Sequence, residues 1–436
     1  MIDSASGSPT LSMPPDAPPE DGEAKRPEMP WQEAVALLIA GKEVVGVRIR
    51  RLRLSGDVTY PVRFRNCVLS QPEFNKCVFK ESVHFLSCTV DRLQFIRVNV
   101  FEKDLKFDGS TVSKLMMNKA EVKGNLNAAN ATFRGKFFCQ DCDFHGRVNF
   151  WESRFETWTN FLGCRFRSEA DFRSIHAEQG FVMSNKSVVE GDILFRGANV
   201  EKKFQLDGAK FLGAVDLNKA KLHDFAYLEA IEQGPKQTFS FLNTVGERIR
   251  VRPEQIEGRL ASELAGNHED AMQEYGLLKK CYSALHRFDQ EDWAFYRFKV
   301  AQRKSKPVSW RRPWTVWRTA ADYLFLDVGC GYGTNPLRAV RMAVVIILFF
   351  ALIYGLNVEM FYADPKKLPF PESQSTDVEN RVMIGFITSV SVFTSGMGGI
   401  REIARGWMNV PVMVESIMGT LLFGLFIVAF SRKVIR

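Results

Sequence analysis

Written in elevens, the middle of the chain falls into register. Residues 131–141 read ATFRGKFFCQD, 142–152 CDFHGRVNFWE, 153–163 SRFETWTNFLG and 164–174 CRFRSEADFRS. After one twelve-residue unit come SVVEGDILFRG from Ser187, ANVEKKFQLDG from Ala198 and AKFLGAVDLNK from Ala209. The first position is small: Ala, Cys or Ser. The third is large and apolar: Phe133, Phe144, Phe155, Phe166, Val189, Val200 and Phe211. The seventh and ninth are mostly apolar, as at Val148 and Phe150, and polar residues fill the places between. Alternation with a period of two marks a half-buried strand. Eleven is odd, so each unit needs a corner where two successive residues face outward. A strand that bends at a fixed interval and restacks on itself is a β-solenoid. Two units per coil, with weaker units back to about Cys67, predict about seven coils and a column roughly 35 Å tall at the ~4.8 Å strand spacing.

These elevens resemble the A-x-F-x-G-x-x-x-F class of bacterial pentapeptide-repeat proteins, over roughly residues 60–225. The resemblance implies a right-handed β-helix, assigned with an N-terminal cap to residues 31–230. Some members of that family mimic DNA with an acidic surface. Here residues 61–224 hold 25 Lys and Arg against 20 Asp and Glu, the wrong balance for a phosphate mimic, and no nucleic-acid partner is expected. The phenylalanine stripe is core. Columns of this kind serve as scaffolds or docking surfaces, so a cytosolic protein is the expected partner of the solenoid.

Nothing in the chain assembles a catalytic constellation, and an enzyme is not expected. The histidines at 84, 145, 176, 223, 268 and 286 share no metal-ligand spacing, and no phosphate-binding loop or nucleophile elbow is present. Neither a metal nor another cofactor is expected. Cys139-Gln-Asp-Cys142 has redox or zinc spacing, but most of the eight cysteines fall on small inward positions of the repeat. They read as reduced core residues of a cytoplasmic domain.

The flanks are different. Residues 1–30 are rich in Pro, Ser, Asp and Glu without an apolar core, which reads as a disordered tail with no signal peptide. From about Pro253 the period turns helical. Ala271, Tyr275, Leu278, Tyr282 and Leu285 share one face, and after a break near Asp289 so do Trp293, Tyr296 and Val300. Residues 253–304 are therefore expected to form a helical hairpin connector. Residues 307–336 carry Trp314 and Trp317 among arginines, the signature of a slide helix lying in a bilayer interface. Gly331-Tyr332-Gly333 precedes the first apolar helix and reads as a turn leading into Pro336.

The apolar segments lie at the other end. Residues 337–358 and 411–430 each approach the length that crosses about 30 Å of hydrocarbon. Lys and Arg number eight in 301–341 and five in 357–410, with Arg432, Lys433 and Arg436 in the tail. That bias places both termini in the cytoplasm of a bacterial inner (plasma) membrane protein. Between the two segments Val382–Phe393 is apolar but too short to cross, and TSGMGGI follows from Thr394. A pore helix at 382–394 with a filter-like loop at 394–400 is the economical reading, because irregular backbone at membrane depth needs a water-filled path or protein cover.

That arrangement resembles the two-helix potassium-channel family, whose filter runs T-x-G-Y-G-D. Thr394, Gly396 and Gly398 match, and Ser395 fills the variable place. Met397 stands where the family has Tyr and Gly399 where it has Asp. Both departures count against potassium selectivity: methionine is flexible, and the outer carboxylate is lost. The resemblance further implies Glu415 as a support behind the filter, Gly419 or Gly424 as a gating hinge, monovalent cations as cargo, membrane lipid as surroundings, and a homotetramer, since two crossing segments cannot enclose a pore. The fold class expected is thus a multidomain membrane protein, with a right-handed β-solenoid, an α-helical connector and a two-transmembrane-helix pore module. The function is a cation-conducting ion channel with a regulatory or docking solenoid. The alternative is a membrane-anchored scaffold for protein–protein interaction, without conduction.

Overall fold

A computed structural model describes residues 26–184, 186–307, 313–360, 378–395, 404 and 406–434. The chain divides into two compact units, Met1–Gln237 and Thr238–Arg436.

In the first unit helix α1 (Trp31–Ile39) buries Ala34 and Leu38 and leads into short strands that pair in parallel. One ladder stacks the strands that begin at Val44, Val62, Val83, Leu105, Leu126, Val148, Ala170, Ile193 and Val215, so nine coils are present. A representative coil has four short faces: Thr132–Phe133, Phe137–Gln140, Asp143–Phe144 and Val148–Asn149. Phe133 pairs with Phe155 and Phe144 with Phe166, a step of two elevens per coil, as the repeat predicts. Nine coils, where about seven were expected, make a column roughly 40 Å tall. The early coils escaped notice because they are shorter: Val44 pairs with Phe64, and Val62 with Val83.

The odd period is resolved by a left-handed corner at the last residue of every unit. Asp141, Glu152, Ser174, Lys186 and Lys219 have φ of 52, 55, 55, 63 and 58°, and Gly163, Gly197 and Gly208 take the same place at 65, 71 and 77°. A non-glycine residue held there costs about 1 kcal/mol. The corner offsets that cost by keeping its amide in the ladder. Asp141 donates to the Leu162 carbonyl at 2.8 Å and Glu152 to that of Arg173 at 3.0 Å. The small first position sits just inside the corner, where its hydroxyl or thiol donates to a carbonyl of the coil below. Examples are Ser153 to Ala128 at 2.5 Å, Ser187 to Phe161 at 3.2 Å and Cys164 to Cys139 at 3.4 Å. Cys142 and Cys164 hold this first position, and all eight cysteines of the chain are free and buried.

The third and ninth positions fill the column with stacked rings. Phe150, Phe172 and Phe195 lie face to face at 5.4 and 5.3 Å, and Phe133 stacks on Phe155 at 5.0 Å. Each such pair adds about 0.5–1.5 kcal/mol beyond burial.

The fifth position is glycine in several units because the coil below passes close. A Cβ on Gly135 would stand 1.8 Å from the Ser113 carbonyl oxygen. Gly135→Ala is expected to lower stability by about 1–3 kcal/mol, seen as a reduced unfolding midpoint of the solenoid. An unchanged midpoint would disprove the close approach.

The second unit opens with strands Phe239–Ser240 and Val245–Arg250 and short helices α2 (Pro253–Ile256) and α3 (Ala261–Leu264). Helices α4 (His268–Ala284) and α5 (Phe288–Ser305) pack as a hairpin whose turn holds His286 at φ 55°. Its anchor is Glu274, fully buried, which accepts from the Phe241 amide at 2.6 Å and from the Ser262 hydroxyl. Burial pushes the Glu274 carboxyl above the usual carboxylate range. Helix α6 (Pro313–Ala321) continues as a π-helical turn through Asp322–Val328, and a 3-10 turn at Gly331–Gly333 follows. Three further helices complete the unit: α7 (Pro336–Leu356), α8 (Val378–Ser395) and α9 (Asn409–Val434).

Candidate functional site

Helices α7, α8 and α9 form one small bundle. Its core is Ile346, Phe350 and Tyr354 from α7, Val392 from α8, and Met408, Val412 and Leu422 from α9 and the turn before it. Two helices are long and apolar enough to cross a membrane, Pro336–Leu356 and Gly406–Val434. Only 28% and 33% of their most apolar windows are buried, which separates them from the core helices of a water-soluble domain. Val344, Val345, Leu348, Phe349 and Leu352 on α7 are exposed, as are Val414, Ile417, Leu421, Phe423 and Val428 on α9. An apolar surface that extensive needs lipid or a partner.

Helix α8 is longer than the 382–394 expected from the apolar run, because a polar turn with Glu379, Asn380 and Arg381 precedes Val382. Small residues let it lie against both long helices. A Cβ on Gly385 would come within 2.3 Å of the Ala351 carbonyl oxygen, and one on Gly419 within 2.5 Å of that of Phe393. Such glycine contacts bring helix backbones close where water supplies no driving force.

At the centre of the three helices lies Glu415, fully buried. The Tyr354 hydroxyl of α7 donates to its Oε2 at 2.6 Å, and the Ser389 hydroxyl of α8 bonds its Oε1. Ser389 also reaches the Ile347 carbonyl at 2.9 Å. A single carboxylate thus ties all three helices. A carboxylate withdrawn from water persists only when hydrogen-bonded, and here the partners are protein groups, not headgroups. Neither Tyr354 nor Ser389 stood out in the sequence.

The other residues singled out by sequence are placed as follows. Thr394 lies in the last turn of α8, exposed, its hydroxyl bonded to the Val390 carbonyl at 2.7 Å. Ser395 ends that helix. Gly396, Met397, Gly398 and Gly399, with Ile400, lie outside the described residues. Gly419 is the contact of α9 with α8, whereas a Cβ on Gly424 would meet only open space. Helix α9 runs unbroken through both glycines. Among the described residues no group of His, Cys, Asp or Glu is arranged to hold a metal ion.

A second cluster joins helix α5 to the ends of α7 and α9. Asp327, in the π-helical turn, receives Arg303 at 2.6 Å and the Tyr296 hydroxyl at 2.7 Å, both from α5. Arg338, in the first turn of α7, stands 3.9 Å from Asp327 and 4.8 Å over the Tyr296 ring. Gly331-Tyr332-Gly333 is a turn, with Tyr332 at φ 56° and its hydroxyl accepting from Arg303 at 3.1 Å. At the far end of α9, Arg432 lies 3.1 Å from Asp292 and 4.4 Å over Phe295. Arg432, in the last turn of α9, thus reaches α5 directly and gives that helix its own attachment to the connector.

No protein-family model and no curated protein matches the chain. Among solved structures the chain is similar to HetL, a pentapeptide repeat protein involved in heterocyst differentiation regulation from the cyanobacterium Nostoc sp. strain PCC 7120. The identity is 12%, the match covers 52% of this chain and 99% of that one, and the TM-score is 0.22. The chain itself is a parallel β-solenoid followed by a helical unit in which two helices are long and apolar enough to cross a membrane.

Proposed function

We propose that the protein is one subunit of a homotetrameric cation channel of the bacterial inner membrane, with both termini and the solenoid in the cytoplasm. Helices α7 and α9 span the bilayer. Helix α8 is the pore helix, and Thr394 through Gly399 present main-chain oxygens to the ion in place of its hydration shell. With Met397 and Gly399 in the filter, discrimination between potassium and sodium is weak. The pentapeptide-repeat-like column is the docking surface through which a cytosolic protein biases opening.

One observation carries this reading: Glu415 holds α8, too polar in its first turn to cross a membrane, between two helices that can. A plain hairpin anchor has no use for a buried carboxylate that positions a third helix. The exposed apolar surface of α7 and α9 adds support, and so do Trp314 and Trp317, exposed on α6 in the manner of interfacial anchors.

The test is conductance of the purified full chain in planar bilayers with mixed potassium and sodium. Replacing Gly396 and Gly398 by Val blocks the backbone torsions a filter requires and is expected to cut unitary current at least tenfold while leaving folding intact. A protein that never conducts, or a variant that conducts as before, favours the tethered scaffold.

A further inference from the structure

An amphipathic pocket of about 370 Å³ opens beside the C-terminal half of α9. One wall is cationic, with Lys299 and Lys306 at the end of α5 and Arg318 on α6; the other is apolar, with Leu425 and Val428 of α9. Arg303 also borders it, but its charge is taken by Asp327. Among the described residues Lys299 bonds the neutral Gln302 side chain, at 3.1 Å, and lies 5.6 and 5.7 Å over the Phe295 and Phe298 rings, with no carboxylate partner. Among the described residues Lys306 and Arg318 form no ion pair, and Asp322 is the one carboxylate on the rim. Three cations against one anion leave a positive site, and the apolar wall continues directly into the exposed surface of α9.

We propose that this pocket binds the headgroup of an anionic phospholipid of the cytoplasmic leaflet. The phosphate lies among Lys299, Lys306 and Arg318, and an acyl chain lies along Leu425 and Val428. The inference rests on the membrane reading above. The chemistry is that of a phosphate with a greasy tail: a free phosphate satisfies the cations but leaves the apolar wall unused, whereas a zwitterionic headgroup brings a like charge to the cations. Exposed Trp314 and Trp317 on the same helix as Arg318 set the pocket at headgroup depth. Because α5, α6 and α9 all contribute, an occupied pocket ties the connector to the last helix.

The test uses the full chain in detergent, titrated with dioctanoyl phosphatidylglycerol, dioctanoyl phosphatidylcholine or inorganic phosphate and followed by tryptophan fluorescence. Phosphatidylglycerol should bind saturably and at least tenfold more tightly than either of the others. The double variant Lys306→Gln with Arg318→Gln should weaken it about tenfold or more, each juxtamembrane cation contributing a several-fold effect. Arg318→Lys, which keeps the charge, should stay within about threefold. Equal binding by the double variant overturns the site, and phosphate binding as tight as phosphatidylglycerol overturns the lipid. If the double variant binds as wild type while the protein still requires detergent and joins vesicles, only the pocket is refuted. A protein that is monodisperse without detergent and ignores vesicles refutes the membrane reading and the pocket with it.

Discussion

Glu415→Ala is expected to destabilise the three-helix bundle by about 2–5 kcal/mol, from the cavity left by a truncated buried side chain and a buried hydroxyl that loses its acceptor. The loss has two parts. The carboxylate's own hydrogen bonds to Tyr354 and Ser389 disappear, and both hydroxyls are left buried. Tyr354 is 1% exposed and Ser389 fully buried, so water cannot take over: Ser389 keeps the Ile347 carbonyl at 2.9 Å, whereas the Tyr354 hydroxyl loses the acceptor it has in Glu415, at a cost of about 1–3 kcal/mol. Glu415→Gln keeps the shape and one acceptor and should cost about half as much. Tyr354→Phe should cost about 1–2 kcal/mol, and its effect should nearly vanish in the Glu415→Ala background, because the partner is already gone. Thermal unfolding in detergent, followed through the near-ultraviolet tyrosine signal, reads all four proteins. If Glu415→Ala melts like a surface substitution, the carboxylate does not tie the helices. In the channel reading the same variant frees α8 and should silence current even where protein survives.

The contrast between solenoid and bundle explains what could be read from the sequence. Each coil of the solenoid touches only its neighbours, so Phe133, Phe155 and their like must recur at a fixed interval, and that interval is visible in the chain. The parity argument even anticipates the corner, now seen at Asp141, Glu152 and Lys219. It fails at the first coils, where the spacing contracts to Val44↔Phe64 and the small-residue signature is missing. The apolar helices were legible by length and composition. Their polar ties were not: Tyr354 finds Glu415 across 61 positions, and Tyr296 finds Asp327 across 31. A single long-range pair leaves no periodic trace. Glu415 was conspicuous because a lone carboxylate interrupts an apolar run, whereas its partner Tyr354 resembles any other aromatic there.

Asp327→Ala should be the most damaging change at the junction between connector and bundle, by about 3–5 kcal/mol locally. The reason lies in what remains. The Arg303 side chain is only 12% exposed and faces Asp327 at 2.6 Å; without that carboxylate a nearly buried guanidinium keeps the Tyr332 hydroxyl and the Tyr323 ring but, among the described residues, no counter-charge. The Tyr296 hydroxyl loses its acceptor as well, and Arg338 loses the carboxylate at 3.9 Å while keeping the Asp327 carbonyl at 3.3 Å. Asp327→Asn retains a hydrogen-bond acceptor without the charge and should fall between. The two ends of α5 make the readout specific. Hydrogen exchange should accelerate in residues 313–338, while the C-terminal end of α9 stays held by Arg432 on Asp292 at 3.1 Å. Arg432→Ala should do the reverse at smaller cost, about 1–2 kcal/mol, because that pair is partly solvated and its Coulomb energy is screened. The two variants share no partner, so their effects on stability should add. In the channel reading their effects on gating need not. If α5 moves as a rigid bar, releasing either end alone uncouples one crossing helix from the connector, and only the intact bar transmits to both. Unchanged exchange across 313–338 in Asp327→Ala would mean that the junction is held by packing alone and that α5 transmits nothing through this carboxylate.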